Sequence, residues 1–319
     1  MENLNSYDRI LVQFSGGKDS FCCILWLLSQ GVDRNKIELW HQRIDGNGEN
    51  FFDWPSTEGY VSSVASHFGI GLGWQWRDGG FYSELHKENA ITKGVYYTHS
   101  STLNGYLRTA IRATTKTRRE WHNNPRMDKW CKNAMKTGPR NRVLNRLYPC
   151  NNECPPKILL VTGERRKESP SRAKLSPLEP HECHTKSRHV DHFRPVLEWS
   201  EQQVWDTLEK NGILPHPAYF LGFPRLSCMC CIFLQKDQWA TLAKINPRAI
   251  DRIAEIEQEF GHTLKRNAGI WEIVALGDSL YQDDMAPKVI EALGDFDGAV
   301  TTENWTLPAG AFGSGGGSP

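Results

Sequence analysis

The stretch Ser15-Gly16-Gly17-Lys18-Asp19-Ser20 constrains this chain more than any other. It lies between an apolar, β-branched run (residues 9–14) and an apolar helical segment (residues 19–30). A strand, a glycine turn and a helix N-terminus in this order form an anion site, because the free N–H groups of the first helical turn point at the ligand. We therefore predict that residues 15–20 bind phosphate.

Each residue type in the loop has a part in this prediction. The two glycines let the backbone turn sharply and approach an oxyanion, and Lys18 adds a positive charge. Asp19 or Ser20 is expected to cap the helix and to contact a magnesium ion. The spacing matches neither the Gly-x4-Gly-Lys-Ser/Thr loop nor Gly-x-Gly-x-x-Gly. The alternative, a serine-glycine turn with a good cap, explains only some of the six residues.

The first half of the chain alternates strand and helix patterns. Residues 36–44, 70–76 and 157–162 are strand-like, and residues 57–68 form a second amphipathic helix pattern. Alternation of this kind predicts βαβ units, a parallel sheet and helices on both of its faces. The fold class is therefore α/β.

Helical patterns dominate later in the chain. Ser200 and Gln203 form a capping-box pattern, and a helical run over 236–260 is interrupted at Pro247 and stops at Gly261. We predict an α/β domain over 1–199 with an insertion at about 81–137, followed by a helical extension over 200–290 that carries a Cys-x-x-Cys loop. The Gly/Ser-rich tail over 307–319 is expected to be disordered.

Composition limits the function classes. A formal net charge of +1 gives no global attraction to nucleic acid or membrane, although residues 108–146 are rich in Lys and Arg. No apolar run approaches the roughly 20 residues of a membrane span, and the start shows no secretory signal. We expect a cytoplasmic protein without a membrane partner. Nine clustered cysteines favour metal ligation over a disulfide scaffold.

A second charged constellation follows the strand pattern at 157–162. It contains Gly163, Glu164, Arg165, Glu168 and Ser169, with Arg172 three residues further on. In an open parallel sheet this segment falls at the carboxyl edge, where ligands collect. The arginines can fork onto phosphate or sulfate oxygens and the glutamates can orient them. The alternative is a solvated charged loop.

Cysteines form the third constellation. Cys131 follows Trp130 in a basic context, and Cys228 and Cys231 are three residues apart. Two thiolates at this spacing bind one metal ion or one edge of a cluster, and a distant cysteine can complete the set. From the residues alone, a cluster, a zinc ion and buried cysteines without metal all remain open. The fourth ligand is Cys230, Cys150 or Cys154, or an open position.

Asp45 lies just after the second strand pattern. Its carboxylate is expected to orient Lys18, a metal ion or a ribose. An ordinary loop aspartate is the alternative.

These motifs resemble known families. Ser-Gly-Gly-Lys-Asp-Ser resembles the pyrophosphate (PP) loop of the adenine-nucleotide α-hydrolase-like superfamily, and Gly-Glu-Arg-x-x-Glu-Ser-x-x-Arg is similar to a second signature of its phosphoadenosine phosphosulfate (PAPS) reductase-like branch. The pattern Trp-Cys … Ser-Cys-x-x-Cys-Ile-Phe is similar to that branch, to DNA phosphorothioation sulfurtransferases and to tRNA thiolases, in which such cysteines hold a [4Fe–4S] cluster. The resemblance covers about residues 7–265.

The resemblance implies a Rossmann-like (HUP-type) parallel five-stranded sheet with helices on both faces and a C-terminal helical extension. It implies cleavage of ATP between its α and β phosphates, adenylation of an acceptor, and sulfur transfer. ATP (or PAPS), Mg2+ and a [4Fe–4S] cluster, with zinc as the alternative, are the implied cofactors. The implied partners are an adenine nucleotide, a sulfur donor such as a cysteine desulfurase, and a DNA or RNA acceptor or a multi-subunit complex.

The resemblance also assigns residues. The implied catalytic residues are Lys18, Asp19, Arg165 and Arg172, and the implied metal ligands are Cys131, Cys228 and Cys231. The implied nucleotide-binding residues are Ser15, Gly16, Gly17, Lys18, Asp19, Ser20, Asp45, Gly163, Glu164, Arg165, Glu168 and Ser169.

Two departures from the family pattern keep alternatives open. Sulfonucleotide reductases carry a nucleophilic cysteine in a Glu-Cys-Gly-Leu-His motif, whereas no cysteine follows Cys231 here. Assimilatory adenosine phosphosulfate reductases also use paired adjacent cysteines plus a Cys-x-x-Cys, whereas Cys131 has no adjacent partner. The loop here keeps Lys18, as ATP-cleaving members do. Together these points favour ATP-dependent activation over sulfate reduction. A genuine PAPS or adenosine phosphosulfate (APS) reductase is the second hypothesis, and a catalytically silent nucleotide-binding subunit of a mobile-element or defence complex is the third.

Overall fold

The computed structural model describes residues 4–47, 51–87, 90, 92–99, 130–147, 156–265 and 268–313. Within these residues the strands are β1 Arg9–Gln13, β2 Ile37–Arg43, β3 Gly71–Arg77, β4 Val95–His99, β5 Ile158–Val161, β6 Leu178–Pro180 and β7 Val190–Phe193. The helices are α1 Lys18–Ser29, α2 Ser56–Phe68, α3 Gly80–Leu85, α4 Trp130–Lys132, α5 Gly138–Leu147, α6 Glu201–Lys210, α7 Lys236–Ile245, α8 Pro247–Phe260, α9 Ile270–Leu276 and α10 Ala286–Leu293.

All of these strands form one mixed sheet in the order β4-β3-β2-β1-β5-β7-β6. The five inner strands are mutually parallel, and the two edge strands, β4 and β6, run antiparallel to their neighbours. The α/β class and the five parallel strands are confirmed, whereas the two antiparallel edges were not predicted, so the expected count of five strands is corrected to seven. The chain order reverses between β1 and β5, which is where open α/β sheets bind ligands.

The sheet is buried on both faces because side chains of its inner strands alternate between two cores. Ile10 and Val12 pack with α1 on one face, while Leu11 and Leu160 pack with Val143 of α5 on the other. Continuous apolar strands are typical of parallel sheets with helices on both sides. This confirms the predicted placement of helices.

A third apolar cluster is formed by the four helices α7, α8, α9 and α10 together with earlier residues, and it includes Trp239, Ile250 and Trp54. Helix α6 begins with the predicted capping box, because Ser200 Oγ accepts the Gln203 N–H and Gln203 Oε1 accepts the Ser200 N–H. Helices α7 and α8 break at Pro247, and Gly261 ends α8 in the left-handed conformation (φ 65°). These sequence predictions are confirmed.

Several predictions fall on residues outside the described ones. These are the basic stretch over 108–129, Cys150, Cys154 and the tail residues 314–319. The tail residues 307–313 are described and fold against the core, since the Gly310 N–H donates to the Tyr219 carbonyl at 2.8 Å. The expectation of disorder does not hold for them. Among the described helices, none has both the length and the apolar character needed to cross a bilayer.

A buried histidine ties the segment after α6 to the helices beside the sheet. His216 is fully buried, its Nδ1 accepts the Ala218 N–H at 3.2 Å, and its Nε2 lies 3.1 Å from Ser56 Oγ. Ser56 Oγ in turn donates to the Ala292 carbonyl of α10. Because Nδ1 is an acceptor, the ring is neutral and carries its proton on Nε2. Burial lowers the pKa of His216 to about 3.

This histidine predicts acid sensitivity. The unfolded chain binds a proton at His216 below about pH 6.5 and the folded chain does not, so stability is lost as the pH falls from about 6.5 toward 3. Between about pH 7.5 and pH 5 the wild type should lose about 2 kcal/mol more unfolding free energy than His216→Asn. Urea titrations at both pH values measure this difference, and identical pH dependence of the two proteins would contradict the assignment.

Candidate active site

The predicted phosphate loop connects β1 to α1. Gly16 has a positive φ of 82°, which a side chain would disfavour. The helix N-cap is Gly17, no side chain caps it, and Ser20 Oγ donates instead to the Gly17 carbonyl at 2.8 Å. The prediction that Asp19 or Ser20 caps the helix is therefore wrong. The Lys18 N–H donates to the Tyr219 hydroxyl, whereas the N–H groups of Asp19 and Ser20 have no carbonyl partner within the helix and are available to an anion.

Lys18 lies beneath this turn and is 4% exposed. Its Nζ donates to the Pro224 carbonyl at 2.9 Å and lies 3.3 Å from a carboxylate oxygen of Glu201. Burial opposes the charge, but the Tyr219 hydroxyl and the Asp19 and Glu201 carboxylates outweigh it and raise the pKa of Lys18. The amine is therefore a fixed cation at the loop.

Tyr219 contacts the loop from residues 215–219, a stiff segment with two prolines. The sequence offers His216 or Tyr219 in this segment as a substrate contact but favours a structural role. The Tyr219 hydroxyl accepts the Lys18 N–H at 3.1 Å and the Leu226 N–H at 3.2 Å. The side chain is 1% exposed and lines the cavity at the loop. A hydroxyl that accepts two N–H groups still has its own O–H to donate.

The second constellation follows β5 and packs directly on the first loop. A Cβ at Gly163 would lie 2.6 Å from the Asp19 carbonyl carbon and 2.7 Å from the Ser20 nitrogen, so only glycine fits. Arg165 Nε donates to Asp19 Oδ1 at 2.5 Å, and the Arg165 side chain is buried. A backbone contact and an ion pair thus hold the two loops together.

The two glutamates of this loop have different partners. Glu168 forms ion pairs with Arg165, at 3.8 Å, and with Arg172. Glu164 instead accepts hydrogen bonds from Thr162 at 2.7 Å and from Arg194 at 2.8 Å. The prediction that glutamates orient the phosphate-facing arginines thus has structural support for Glu168 only. Burial opposes ionisation of Glu164, but these partners and His192 lower its pKa.

Both loops line one polar cavity of about 550 Å³. The predicted residues on its wall are Ser15, Gly17, Lys18, Asp19, Ser20, Gly163, Glu164, Arg165, Glu168 and Arg172. Gly16, Ser169 and Asp45 do not line it. Ser169 Oγ accepts the Arg172 N–H at 3.3 Å. The wall also includes Glu201, Tyr219 and Arg225, of which the sequence offers only Tyr219 as a candidate substrate contact.

The Asp45 carboxylate binds backbone N–H groups, and Asp45 lines neither this polar cavity nor the cysteine cavity described next. Its carboxylate accepts the N–H groups of Phe52, at 2.9 Å, and Asp53, also at 2.9 Å. Burial raises its pKa to about 6 against these hydrogen bonds. The neighbouring Asp53 is also affected, since burial and the Asp45 charge raise its pKa to about 7. The ordinary loop role considered for Asp45 accounts for these contacts.

The three predicted cysteine ligands line a second, more apolar cavity of about 360 Å³. Cys131, Cys228 and Cys231 are partly exposed there, and Cys230 is buried in its wall. The structure thus brings together residues that are nearly 100 positions apart in the sequence.

The local fold positions these cysteines. Trp130 stacks on Phe81 with ring centroids 5.2 Å apart, which places Cys131 beside the cavity. The helix then passes through a π-helical segment, Asn133–Thr137, whose Ala134 carbonyl accepts from the buried Arg77 at 2.9 Å. Bulges of this kind often occur at functional sites. Here the bulge places Lys136 on the cavity wall.

The separations of the three cysteine sulfur atoms bear on which metal centre they could hold. Zinc in a tetrahedral site holds its sulfur ligands about 3.8 Å apart, since each Zn–S bond is about 2.3 Å. The sulfur atoms of Cys131, Cys228 and Cys231 do not form a group with all separations within 4.8 Å. In a cluster each cysteine binds a different iron and wider separations are normal. Burial raises the pKa of Cys228, and the Lys136 charge opposes this.

The two cavities adjoin. Glu164, Arg172 and Arg225 line both of them. These three side chains therefore lie between the first loop and the cysteines, and ligands in either cavity have them as neighbours.

These features define an α/β protein of the Rossmann-like class with an anion loop at the switch point of its sheet. Residues 98–233 match the family model "Phosphoadenosine phosphosulfate reductase domain". The match includes the second constellation and the three cysteines and begins after the first loop. It confirms the resemblance to the PAPS reductase family that the motifs predict.

Similar proteins include an uncharacterized 37.8 kDa protein of Escherichia phage 186, 36% identical over 102 residues, which are 32% of this chain and 30% of that protein. An adenosine 5'-phosphosulfate reductase of Neisseria meningitidis serogroup A is 32% identical over 71 residues, 22% of this chain and 28% of that enzyme. The chain thus spans less than a third of either relative. A crystal structure of Candida glabrata FMN adenylyltransferase with ATP aligns with a TM-score of 0.38 and 13% identity, covering 71% of this chain and 54% of that one.

The contact between the two loops yields a prediction. Gly163→Ala places a methyl group against the backbone of α1, which cannot move cheaply, so we expect a loss of about 1–3 kcal/mol of unfolding free energy, as for other overpacked sites. Gly298→Ala is the control, because a Cβ there meets only the Phe296 ring at 3.3 Å. Urea denaturation of both variants measures the difference. Equal losses in the two variants would contradict the close packing of the loops.

Proposed function

We propose that this chain binds ATP at residues 15–20, activates an acceptor by adenylation, and takes part in sulfur transfer through an iron–sulfur cluster held by Cys131, Cys228 and Cys231. The observation that carries the proposal is the shared wall of the two cavities, formed by Glu164, Arg172 and Arg225. It joins an anion-binding loop to a cysteine set, and sulfur transfer to an adenylated acceptor requires both.

The phosphate end of the nucleotide occupies the polar cavity. The first-turn N–H groups of α1 and the buried Lys18 face the β and γ phosphates and replace their water. Arg165, held by Asp19, adds a second fixed cation. Mg2+ arrives with the phosphates, and Asp19 is the loop carboxylate placed to contact it.

The α phosphorus lies toward the shared wall. An oxygen of the acceptor attacks it, the bond to the bridging oxygen of the β phosphate breaks, and pyrophosphate leaves. The helix N-terminus and Lys18 stabilise the charge that builds up on the leaving group. Arg172 and Arg225 are placed to hold the α phosphate as it changes geometry. This catalysis consists of positioning and electrostatics.

The cysteine cavity serves the second half of the reaction. Cys131, Cys228 and Cys231 would hold the cluster, which would supply sulfur chemistry beside the activated acceptor. Sulfide from the donor would displace AMP from the adenylated acceptor, and AMP would leave. Its mostly apolar wall limits access of water, and Lys136 balances the negative charge of the thiolates. The sulfur donor, such as a cysteine desulfurase, and a DNA or RNA acceptor belong to this proposal, and Lys132 and Lys136 offer cations for such an acceptor.

Nucleotide binding is tested by removing the loop cation. Lys18→Ala should weaken ATP binding by about 1–3 kcal/mol, because one charge-assisted contact is lost. Isothermal titration calorimetry measures the affinity. Lys174→Ala is the matched control, since Lys174 is exposed and lines neither cavity. Equal affinities for the two variants would contradict the phosphate assignment.

The cluster has its own test. Anaerobically prepared protein should be brown and contain iron and acid-labile sulfide, and Cys228→Ser should lose both. Cys22→Ser is the control, because Cys22 is buried on α1 with its Sγ directed at the Val204 carbonyl. Circular dichroism checks that both variants fold. Stoichiometric zinc without iron in the wild type would contradict the cluster.

The similarity to an adenosine 5'-phosphosulfate reductase favours a second candidate, reduction of PAPS or APS. The two reactions give different products, since adenylation releases pyrophosphate from ATP and reduction releases sulfite from the sulfonucleotide. Assays of both products on the same preparation decide between them. Binding of ATP with neither product would support the third hypothesis, a catalytically silent nucleotide-binding subunit.

A further inference from the structure

A short hairpin before β7 brings the rings of two histidines together in an edge-to-face arrangement. Thr185 and Arg188 form an antiparallel bridge with N–H···O distances of 3.0 and 3.2 Å, which leaves two residues for the turn. His184 and His189 are the next pair outward. Side chains of such cross-strand pairs are neighbours, and the two imidazole centroids are 5.0 Å apart.

Asp191 lies on the same face of the strand, two residues after His189. Its Oδ2 lies 2.6 Å from His189 Nε2 and accepts the Tyr7 hydroxyl at 2.6 Å. One ligand atom from each of His184, His189 and Asp191 lies within 4.8 Å of the other two. Among the residues that the structure describes, no other group of three histidine, cysteine or acidic side chains meets this distance limit.

The surroundings suit a cation. His184 Nδ1 lies 3.1 Å from the Val190 carbonyl and 3.3 Å from the Val190 nitrogen, so the Val190 backbone fixes the ring. In the tautomer that donates Nδ1–H to the carbonyl, Nε2 is the free donor atom. The His189 side chain is 43% exposed, which gives solvent a path to the site. Lys157, over the Tyr7 ring at 4.3 Å, is a nearby cation.

Neighbouring side chains that resemble ligands are engaged elsewhere. His181 Nε2 lies 3.0 Å from Arg140 Nη2, and Cys183 is buried. The set is also separate from the proposed active site. His189 and Asp191 are at the start of β7, whereas both loops of the active site follow the carboxyl ends of β1 and β5.

We propose that His184, His189 and Asp191 form a binding site for a divalent transition-metal ion such as Zn2+, with water in the remaining position. Two imidazoles and one carboxylate are a ligand set that zinc uses in proteins. Tyr7 is the outer-shell partner that orients the carboxylate. The metal joins the 184–189 hairpin to the strand that follows it, and through Tyr7 to the segment before β1.

The experiment uses the full chain after chelation and dialysis, with Co2+ as a spectroscopic probe and Zn2+ as its competitor. One Co2+ per chain should bind with weak visible bands and without the intense near-ultraviolet band of thiolate–cobalt bonds, which separates this site from the cysteine cavity. Loss of an outer-shell partner lowers metal affinity about 10–100-fold. His189→Gln and Asp191→Asn remove ligands, so each should lower the Co2+ affinity by at least that factor. Tyr7→Phe removes the outer-shell partner and should lower the affinity about 10-fold.

His67→Gln is the matched control, because His67 is an exposed histidine on α2 outside the set. It should bind like the wild type. Far-ultraviolet circular dichroism checks folding, and the exposed position of His189 makes His189→Gln the decisive variant. Unchanged affinity in His189→Gln, or binding with a thiolate spectrum alone, would overturn the site, and neither result bears on nucleotide binding.

Discussion

The close contact between the Gly163 backbone and the first turn of α1 is the constraint on which the site depends. It has no room for a Cβ, and the Arg165–Asp19 ion pair reinforces it. Because β1 and β5 are adjacent parallel strands, both loops emerge side by side at the reversal of strand order. The anion cavity exists because two distant segments meet at this point.

The cysteine cavity also depends on the position of the second loop. Glu164 and Arg172 belong to the second loop and line both cavities. Arg225, which precedes the Cys228 turn, also lines both. The segment between His216 and Cys231 therefore links three parts of the molecule. His216 bonds to Ser56 of α2, which in turn bonds to α10. Tyr219 accepts the Lys18 N–H, and the cysteines face the π-helical segment. A change in any of these contacts is expected to move both cavities together.

Much of this could be predicted from local patterns. The strands β1, β2, β3 and β5, the capping box of Ser200 and the break at Pro247 follow from hydrophobic period and terminal residues, which act within a few positions. The second loop was recognisable because Gly163 follows a buried strand. The sequence does not locate the edge strands β4 and β6 or the inner strand β7, because strands of three to five residues carry weak periodicity. In addition, β4 lies in a polar, aromatic stretch.

The remaining features depend on tertiary contacts. The π-helical bulge is stabilised by Arg77, more than 50 residues away, and the Tyr219 hydroxyl reaches the loop across 201 positions. Asp45 looked like a ligand residue because it follows a strand, yet its oxygens are used by backbone N–H groups. The metal set at His184, His189 and Asp191 appears only once the hairpin is formed. Residue type and spacing therefore predict which side chains are candidate ligands, and tertiary packing determines which groups those side chains contact.

The central claim is that the turn after β1 holds the polyphosphate of an adenine nucleotide. A crystal structure with a non-hydrolysable ATP analogue tests it most directly. The account predicts β- and γ-phosphate oxygens within hydrogen-bond distance of the first-turn N–H groups of α1 and of Lys18 Nζ, with the α phosphate toward Arg172. Phosphates bound elsewhere, with this turn empty at saturating nucleotide, would contradict it.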